Sequence, residues 1–307
     1  MDGFLNVLKP KGVTSHDVVM IARRSLREDR LGHLGTLDPL AVGVLPLACG
    51  TYRRLSEYFL GEDKRYFAEF TFGVRTDTGD TDGDVVEERD ASRLTPDDVR
   101  RALHGFTGTI MQRPPSYSAL KVGGRKLMDL AREGALVEPE PREVVIHELS
   151  LSGWMPGAKP KGLFSMRVGR GTYVRSLAFS LGDIVGCGAT VSYLLRSRVG
   201  KFRLKDAVTV PELRKLGASR RAQEAIVPPL SVMPGYPVFV LRPGADDKVS
   251  HGVAIGMADV RPADGSDERQ MALPAIVAMP DGREIAAVVS VQDDGHLKYE
   301  KVMISKG

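Results

Sequence analysis

Apolar residues recur along this chain with two different periods, and the periods alternate without a regular strand–helix repeat. Phe4–Leu8 is a short apolar run of strand length, followed by a Lys9-Pro10-Lys11-Gly12 turn. Val18, Ile21, Ala22 and Leu26 then fall at helical spacing, with Thr14 or Ser15 placed to cap that helix. Residues 30–50 are rich in glycine and proline yet apolar, which predicts a tightly packed loop. Tyr52–Leu60 suits a short helix. Beyond it Tyr66, Ala68, Phe70, Phe72 and Val74 alternate with other residues, as in a strand with one buried face. Thr95-Pro96-Asp97-Asp98 is a helix start, with a capping hydroxyl, proline at the first helical position and acids in the first turn. Helices are also predicted over Lys126–Glu133, ended by Gly134, and on Val174, Leu177, Ala178 and Leu181; strands are predicted at Val144–Leu151 and Leu163–Val168.

Near residue 230 the helical period fades. Pro237–Leu241, Pro274–Ala278, Glu284–Val291 and Lys298–Ile304 read as short strands separated by turns such as Pro280-Asp281-Gly282. The pattern predicts an α+β catalytic unit, a mixed or antiparallel sheet with flanking helices, over residues 1–230. A small barrel-like β-domain is predicted over 231–307, with 219–229 as linker.

The length of 307 residues suits one large and one small domain, and 42% apolar residues supply an ample core. No run approaches the roughly 18 apolar residues of a membrane span. The N-terminus shows no secretory pattern, and two cysteines, Cys49 and Cys187, allow neither a disulfide framework nor a four-cysteine zinc site. These features point to a cytoplasmic protein. Net charge is only +4, but it is segregated. Residues 77–98 hold nine acids against two arginines, and residues 196–221 hold nine bases against two acids. That division predicts a basic face for a polyanion and an acidic segment left in solvent.

Several chemistries lack their motifs: there is no GxGxxG, no phosphate-binding GxxxxGK[ST] loop and no close histidine pair for a metal. The segment 78–89 fails as a calcium loop, because Thr78 and Arg89 stand at its first and twelfth positions. In GHLGTLDPLAVGVLP (32–46) Asp38 is the sole acid between Asp29 and Glu57. A carboxylate among aliphatic residues needs a cation or donors, which suggests chemistry. Leu37-Asp38-Pro39 is equally good turn chemistry, so the residues alone leave both readings open. In VGRGTYVRSL (168–177), Tyr173 and Arg175 fall in the first turn of a helix, where an arginine can clamp a carboxylate. Lys64-Arg65-Tyr66 sets cations and an aromatic ring at a strand start.

Taken in order, the segments KPKGVTSHD (9–17), GHLGTLDPLAVGVLP (32–46), DKRYFAEFTFGVRTDTGDTDGDVVEE (63–88), PPSYSALKVGGRKLMDLAREG (114–134), GRGTYVRSLAFSLG (169–182) and GCGATVSYLLRSRVG (186–200) resemble the bacterial tRNA pseudouridine-55 synthase family, the TruB class. The resemblance implies the pseudouridine synthase catalytic fold and a C-terminal PUA-like RNA-binding domain. It implies isomerisation of uridine 55 in the T-arm of tRNA, by a monomer without cofactor or metal. In this reading Asp38 is the essential aspartate, acting by attack on C1′, by attack on the base or by abstraction of a sugar proton. Arg175 pairs with it and keeps it ionised while buried, and Tyr66 stacks on the target base. Tyr173 and Leu194 hold the uracil, and His33 enters the T-loop as the base leaves. Lys9 and Pro10 match a motif that packs beside the catalytic loop in a structural role, and Lys9 is also counted among the substrate-binding residues. The insertion at about 113–142 clamps the T-arm, with Lys121, Arg125, Lys126 and Arg132 on phosphates, and the basic run from Arg196 follows the RNA backbone. Leu34, Val42 and Arg53-Arg54 depart from the usual family residues, and 258–272 reads as a polar insertion.

Three other readings compete. A T-arm-binding or tRNA-folding protein without essential catalysis would not need Asp38, Tyr66 and Arg175 together. A synthase working in a guide-RNA particle would be expected to carry long extensions. A glycoside hydrolase would need a second positioned carboxylate, and Asp77, Asp80, Asp82 and Asp84 sit in a turn-like setting.

Overall fold

The computed structural model describes residues 1–118, 120–133, 137–263, 274–292 and 295–304, without the side chains of residues 121, 126, 128 and 132. The chain starts with β1 (Gly3–Lys9) and α1 (Ser15–Leu26), whose N-cap is Thr14 in a reciprocal capping box with Asp17. Residues 30–50, expected as one loop, are mostly strand: β2 (Leu31–His33) and β3 (Val42–Cys49) flank a loop of residues 34–41. The apolar run Val42–Cys49 is buried almost throughout, which removes the alternation that marks a one-sided strand.

A 3-10 turn (Gly50–Leu55) leads into α2 (Ser56–Leu60), then β4 (Lys64–Phe72), β5 (Val74–Thr76) and β6 (Val85–Glu88). The helix α3 (Pro96–Leu103) begins at Thr95 as its capping residues require. Next come β7 (Gly108–Gln112), a small hairpin of β8 (Lys121–Val122) and β9 (Arg125–Lys126), and α4 (Leu127–Arg132). The expected stop at Gly134 lies outside the described residues. Two long strands, β10 (Arg142–Met155) and β11 (Lys161–Val168), precede α5 (Val174–Ile184) and β12 (Ala189–Val199). The run closes with β13 (Phe202–Arg203), β14 (Val208–Thr209) and α6 (Val210–Ala218).

One eleven-stranded sheet organises residues 3–227, along the path β14-β1-β3-β12-β4-β11-β10-β7. Most neighbours are antiparallel, while β1/β14 and β3/β12 run parallel, so the sheet is mixed as the irregular order of elements predicts. The segment 219–229 is not a free linker. It carries β15 (Ile226–Val227), which pairs with Phe4 and Leu5 of β1 at the sheet edge.

After α7 (Pro229–Val232) the chain forms β16 (Val238–Leu241), a helix α8 (Ala245–Ser250) that the periodicity missed, and the short strands β17 (Ile255–Gly256) and β18 (Val260–Pro262). With β19 (Ala275–Ala278), β20 (Ile285–Val291) and β21 (His296–Val302) these strands make a nearly closed six-stranded sheet in the order β17-β21-β20-β19-β16-β18. Residues 264–272 of the polar insertion lie outside the described residues. This barrel-like unit shares a core with the main sheet: Phe4, Tyr52, Phe59 and Phe202 pack with Ile276, Ile285, Val288 and Met303. The Tyr52 hydroxyl accepts the Ile285 N–H at 3.0 Å, and the Tyr58 hydroxyl donates to Glu300 at 2.9 Å. Burying that much apolar surface couples the stability of the two units.

The loop 34–41 is held from beneath by two buried cations. Lys9 is fully buried, and its Nζ donates to the carbonyls of Pro10 (2.9 Å), Pro39 (3.3 Å) and Ala41 (2.7 Å). Arg196, also buried, donates to Val44 (2.8 Å), Thr36 (3.0 Å) and Gly35 (3.1 Å). Ser15 Oγ completes the clamp, donating to the Leu37 carbonyl and accepting the Leu37 N–H. Gly43 permits it: at φ +116°, an added Cβ would lie 2.2 Å from the Arg196 carbonyl oxygen.

Two expectations are corrected here. Lys9 has no exposure and its donors are engaged by backbone, so it positions the loop and does not touch substrate. Arg196 is likewise interior and follows no RNA backbone; from Lys201 to Arg221 the basic residues are exposed. Lys9→Met is expected to take the Lys9 donor from the Pro10 and Ala41 carbonyls, while Pro39 keeps the Gly12 N–H, and to lower unfolding free energy by about 1–3 kcal/mol. Burial pushes the Lys9 pKa down to about 8. The unfolded chain therefore binds more protons than the folded one between about 8 and 10.5, and wild-type stability rises with pH across that window. Urea titrations at several pH values should show the stability difference between wild type and Lys9→Met growing in favour of wild type across that window.

Candidate active site

The loop 34–41, the start of β4, the end of β12 and the N-terminus of α5 surround a cavity of about 610 Å3. Asp38, Tyr66, Arg175, Tyr173 and Leu194 all line it, so four elements distant in sequence bring together five of the residues singled out above. Tyr66 points into the cavity because strand alternation turns Tyr66, Ala68 and Phe70 to one face, and it is 9% exposed. Leu194 faces it from the neighbouring strand, where it registers with Ala68.

Arg175 is the electrostatic centre. Its side chain is 6% exposed, and Nε lies 3.0 Å from Asp38 Oδ2 and 3.7 Å from Asp80 Oδ2. Nη1 donates to the Thr78 carbonyl at 2.8 Å and Nη2 to the Tyr117 carbonyl at 2.9 Å. The helix that carries it has no side-chain cap; instead the Gln112 carboxamide bonds both the N–H and the carbonyl of Tyr173. This fixes Tyr173 and the first turn of α5 against β7.

The pair differs from expectation in one respect. Asp38 is not buried: its side chain is 36% exposed, and the deeply buried member is Arg175. Leu34, Leu37 and Leu40 turn into the core, and the loop leaves the carboxylate at the cavity wall. An acid that must meet a substrate needs that access, while a guanidinium already bonded to carbonyls does not.

Asp80 is the residue that sequence reasoning passed over. Its sequence setting reads as a solvated turn, yet its side chain is 7% exposed, which also corrects the expectation that the acidic segment stays wholly in solvent. Thr78 Oγ1 donates to its Oδ1 at 2.8 Å, and the backbone between Gly79 and Thr81 is stitched to Val191. Burial raises its pKa, opposed by Thr78, by the Arg175 charge and by the Asp82 N–H. The available signal was the turn itself, since a folded turn beside a strand can drive one of its carboxylates inward. Lys64 and Ser118 also line the cavity, although nothing in the sequence places them there.

His33 sits on β2 at the edge of the loop, half-buried and outside the cavity lining. Burial, and then the Arg196 charge, lower its pKa, which keeps the imidazole neutral at neutral pH. Arg125 is on the β8–β9 hairpin in an exposed pair with Glu133, away from the cavity. The side chains of Lys121, Lys126 and Arg132 lie outside the described set. The segment preceding that hairpin is tied to α5, where Ser176 Oγ donates to the Arg113 carbonyl at 2.8 Å.

A buried arginine thus holds a partly exposed aspartate at the wall of a cavity that a tyrosine and a leucine line from the sheet. Residues 23–174 match the family model described as TruB family pseudouridylate synthase, N-terminal domain. The chain is 49% identical over 254 residues to tRNA pseudouridine synthase B of Symbiobacterium thermophilum, covering 83% of each protein. It is 48% identical over 255 residues to the protein of that name from Moorella thermoacetica, covering 82% of this chain and 83% of the relative. The chain therefore belongs to the TruB family of pseudouridylate synthases. A chain of a crystallised Cbf5–Nop10–Gar1 complex shares the fold, with a TM-score of 0.73 at 24% identity over 99% of this chain and 85% of that one. Among the described residues no helix is long and apolar enough to cross a membrane.

Proposed function

We propose that this protein isomerises uridine 55 in the T-arm of tRNA to pseudouridine, in the cytoplasm and as a monomer, without metal or redox cofactor. The reading rests on the Asp38–Arg175 ion pair at the wall of a cavity lined by Tyr66, Tyr173 and Leu194. The reaction breaks the bond from ribose C1′ to uracil N1, turns the base and joins C1′ to C5. The C5 proton is lost and N1 gains one, so atoms balance without a co-reactant.

A duplex or folded loop does not offer C1′ and C5 to a side chain, so the nucleotide must leave its stack. Stacking on Tyr66 at about 1–3 kcal/mol offsets much of that cost. Leu194 and Tyr173 exclude water around the detached base, and the carboxylate of Asp38 supplies the anionic oxygen beside the sugar. The Arg175 charge, with Nε 3.0 Å from Oδ2, holds that carboxylate in place while its other nitrogens are anchored on carbonyls. In this reading residues 1–230 form the catalytic unit, and residues 231–307 form a PUA-like unit that adds contacts to the tRNA. The insertion at about 113–142 grips the T-arm. Arg125, Lys121 and Lys126 supply its phosphate contacts, and His33 fills the space the base vacates.

The test is incubation with an unmodified T-arm stem-loop transcript, followed by carbodiimide-dependent primer-extension mapping. A stop at the position equivalent to uridine 55 is the expected result. RNA binding without any stop would favour a tRNA-folding role and remove the isomerase reading.

A further inference from the structure

Three cations line the active-site cavity among the described residues, and two of them are committed to the protein. Arg196 has its nitrogens on the Val44, Thr36 and Gly35 carbonyls, and Arg175 is engaged by Asp38, Asp80 and two carbonyls. The third, Lys64, differs. It stands two residues before Tyr66 on β4, so strand alternation turns it to the same side, and it is half-buried in the cavity wall. Its Nζ donates to the Leu60 carbonyl at 3.1 Å, which leaves it two further N–H donors.

We propose that Lys64 binds the phosphodiester flanking the everted nucleotide and so sets how firmly the target seats against Asp38. The proposal rests on the uridine-55 reading for its substrate and adds to it a named contact. An ammonium is a three-donor point charge, suited to a phosphate oxygen whose approach is not fixed in one plane. The charged groups that act on Lys64 are Arg196 and Arg170, which disfavour its proton, and Glu62 and Asp63, which favour it. Burial outweighs them all and holds its pKa near about 8. A bound phosphate raises that value. Affinity is therefore full below about pH 8 and falls as pH climbs through the value in the free enzyme.

The experiment compares wild type, Lys64→Met and Lys64→Arg on an unmodified T-arm stem-loop. In parallel, the same RNA carries a neutral methylphosphonate on the 5′ or the 3′ side of the target. Lys64→Met should raise KM and Kd about tenfold with kcat within about twofold, and reduce the slope of log Kd against log salt by about 0.7. Lys64→Arg should restore affinity and lose the alkaline decline seen in wild type. At one of the two linkages, the methylphosphonate should weaken wild-type binding about as much as Lys64→Met does, and weaken Lys64→Met no further. If both linkages remain fully additive with Lys64→Met, or if its Kd and salt slope match wild type, the phosphate contact is wrong. Because Kd is read without turnover, absence of pseudouridine would overturn the uridine-55 reading alone, and the Lys64 contact would stand or fall on the binding data.

Discussion

Asp38→Asn is expected to lower turnover by at least about 1,000-fold while leaving the Kd for T-arm RNA within about threefold. The substitution keeps the shape of the side chain and removes the negative charge. Asp38 lies at the cavity wall with a third of its side chain open, so in the proposed reaction it is placed to meet the ribose. Phosphate contacts dominate affinity for nucleic acid, which is why binding and chemistry should separate. Single-turnover rates together with filter binding would decide the matter. A parallel loss of affinity would mean that Asp38 orders the site for binding and is not the reacting group.

Arg175→Met is expected to damage both stability and activity. It strands the buried Asp80 and leaves the Thr78 and Tyr117 carbonyls without their donor. Removing one partner of a buried ionic cluster typically destabilises by about 3–5 kcal/mol, and the lower end applies here because Asp38 retains access to water. Turnover should fall by about 100-fold or more in the fraction that folds, since the carboxylate loses its orienting contact.

The pH dependence distinguishes this mechanism from simple loss of packing. Asp80 has a raised pKa in the folded state, with burial as the main cause. An acid raised in this way binds more protons folded than unfolded, so its contribution improves as pH falls through the folded value. Without Arg175 that value climbs further. The stability gap between wild type and Arg175→Met should therefore narrow on acidification from pH 7.5 toward pH 5 in urea titrations. A gap that stays constant would show that the carboxylate cluster is not what Arg175 stabilises.

Much of the local structure was legible because its causes are local. Thr14 and Thr95 cap their helices through side chains three residues from their partners, and the alternation from Tyr66 to Phe72 reports one buried face directly. The strand β3 escaped notice because its residues are buried nearly throughout, and a continuous apolar run carries no period. The helix α8 escaped because only Ala245 and Val249 of its six residues are buried. The edge strand Ile226–Val227 has two residues, and its identity comes wholly from pairing with β1.

The order of motifs determined the family, and with it Asp38, Tyr66 and Arg175 as the residues to watch. Composition and capping determined the class of fold. Which side chains meet was decided by tertiary structure alone. Arg196 read as a cation for RNA and Lys9 as both a packing residue and a substrate contact; both are interior struts, because the Pro10, Ala41, Gly35 and Thr36 carbonyls take their donors from these two side chains. Asp80 read as a turn acid and became the second partner of Arg175, because β12 draws its turn inward through Val191. A charge on a linear chain shows its sign; only packing shows whether water, a carbonyl or another charge will answer it.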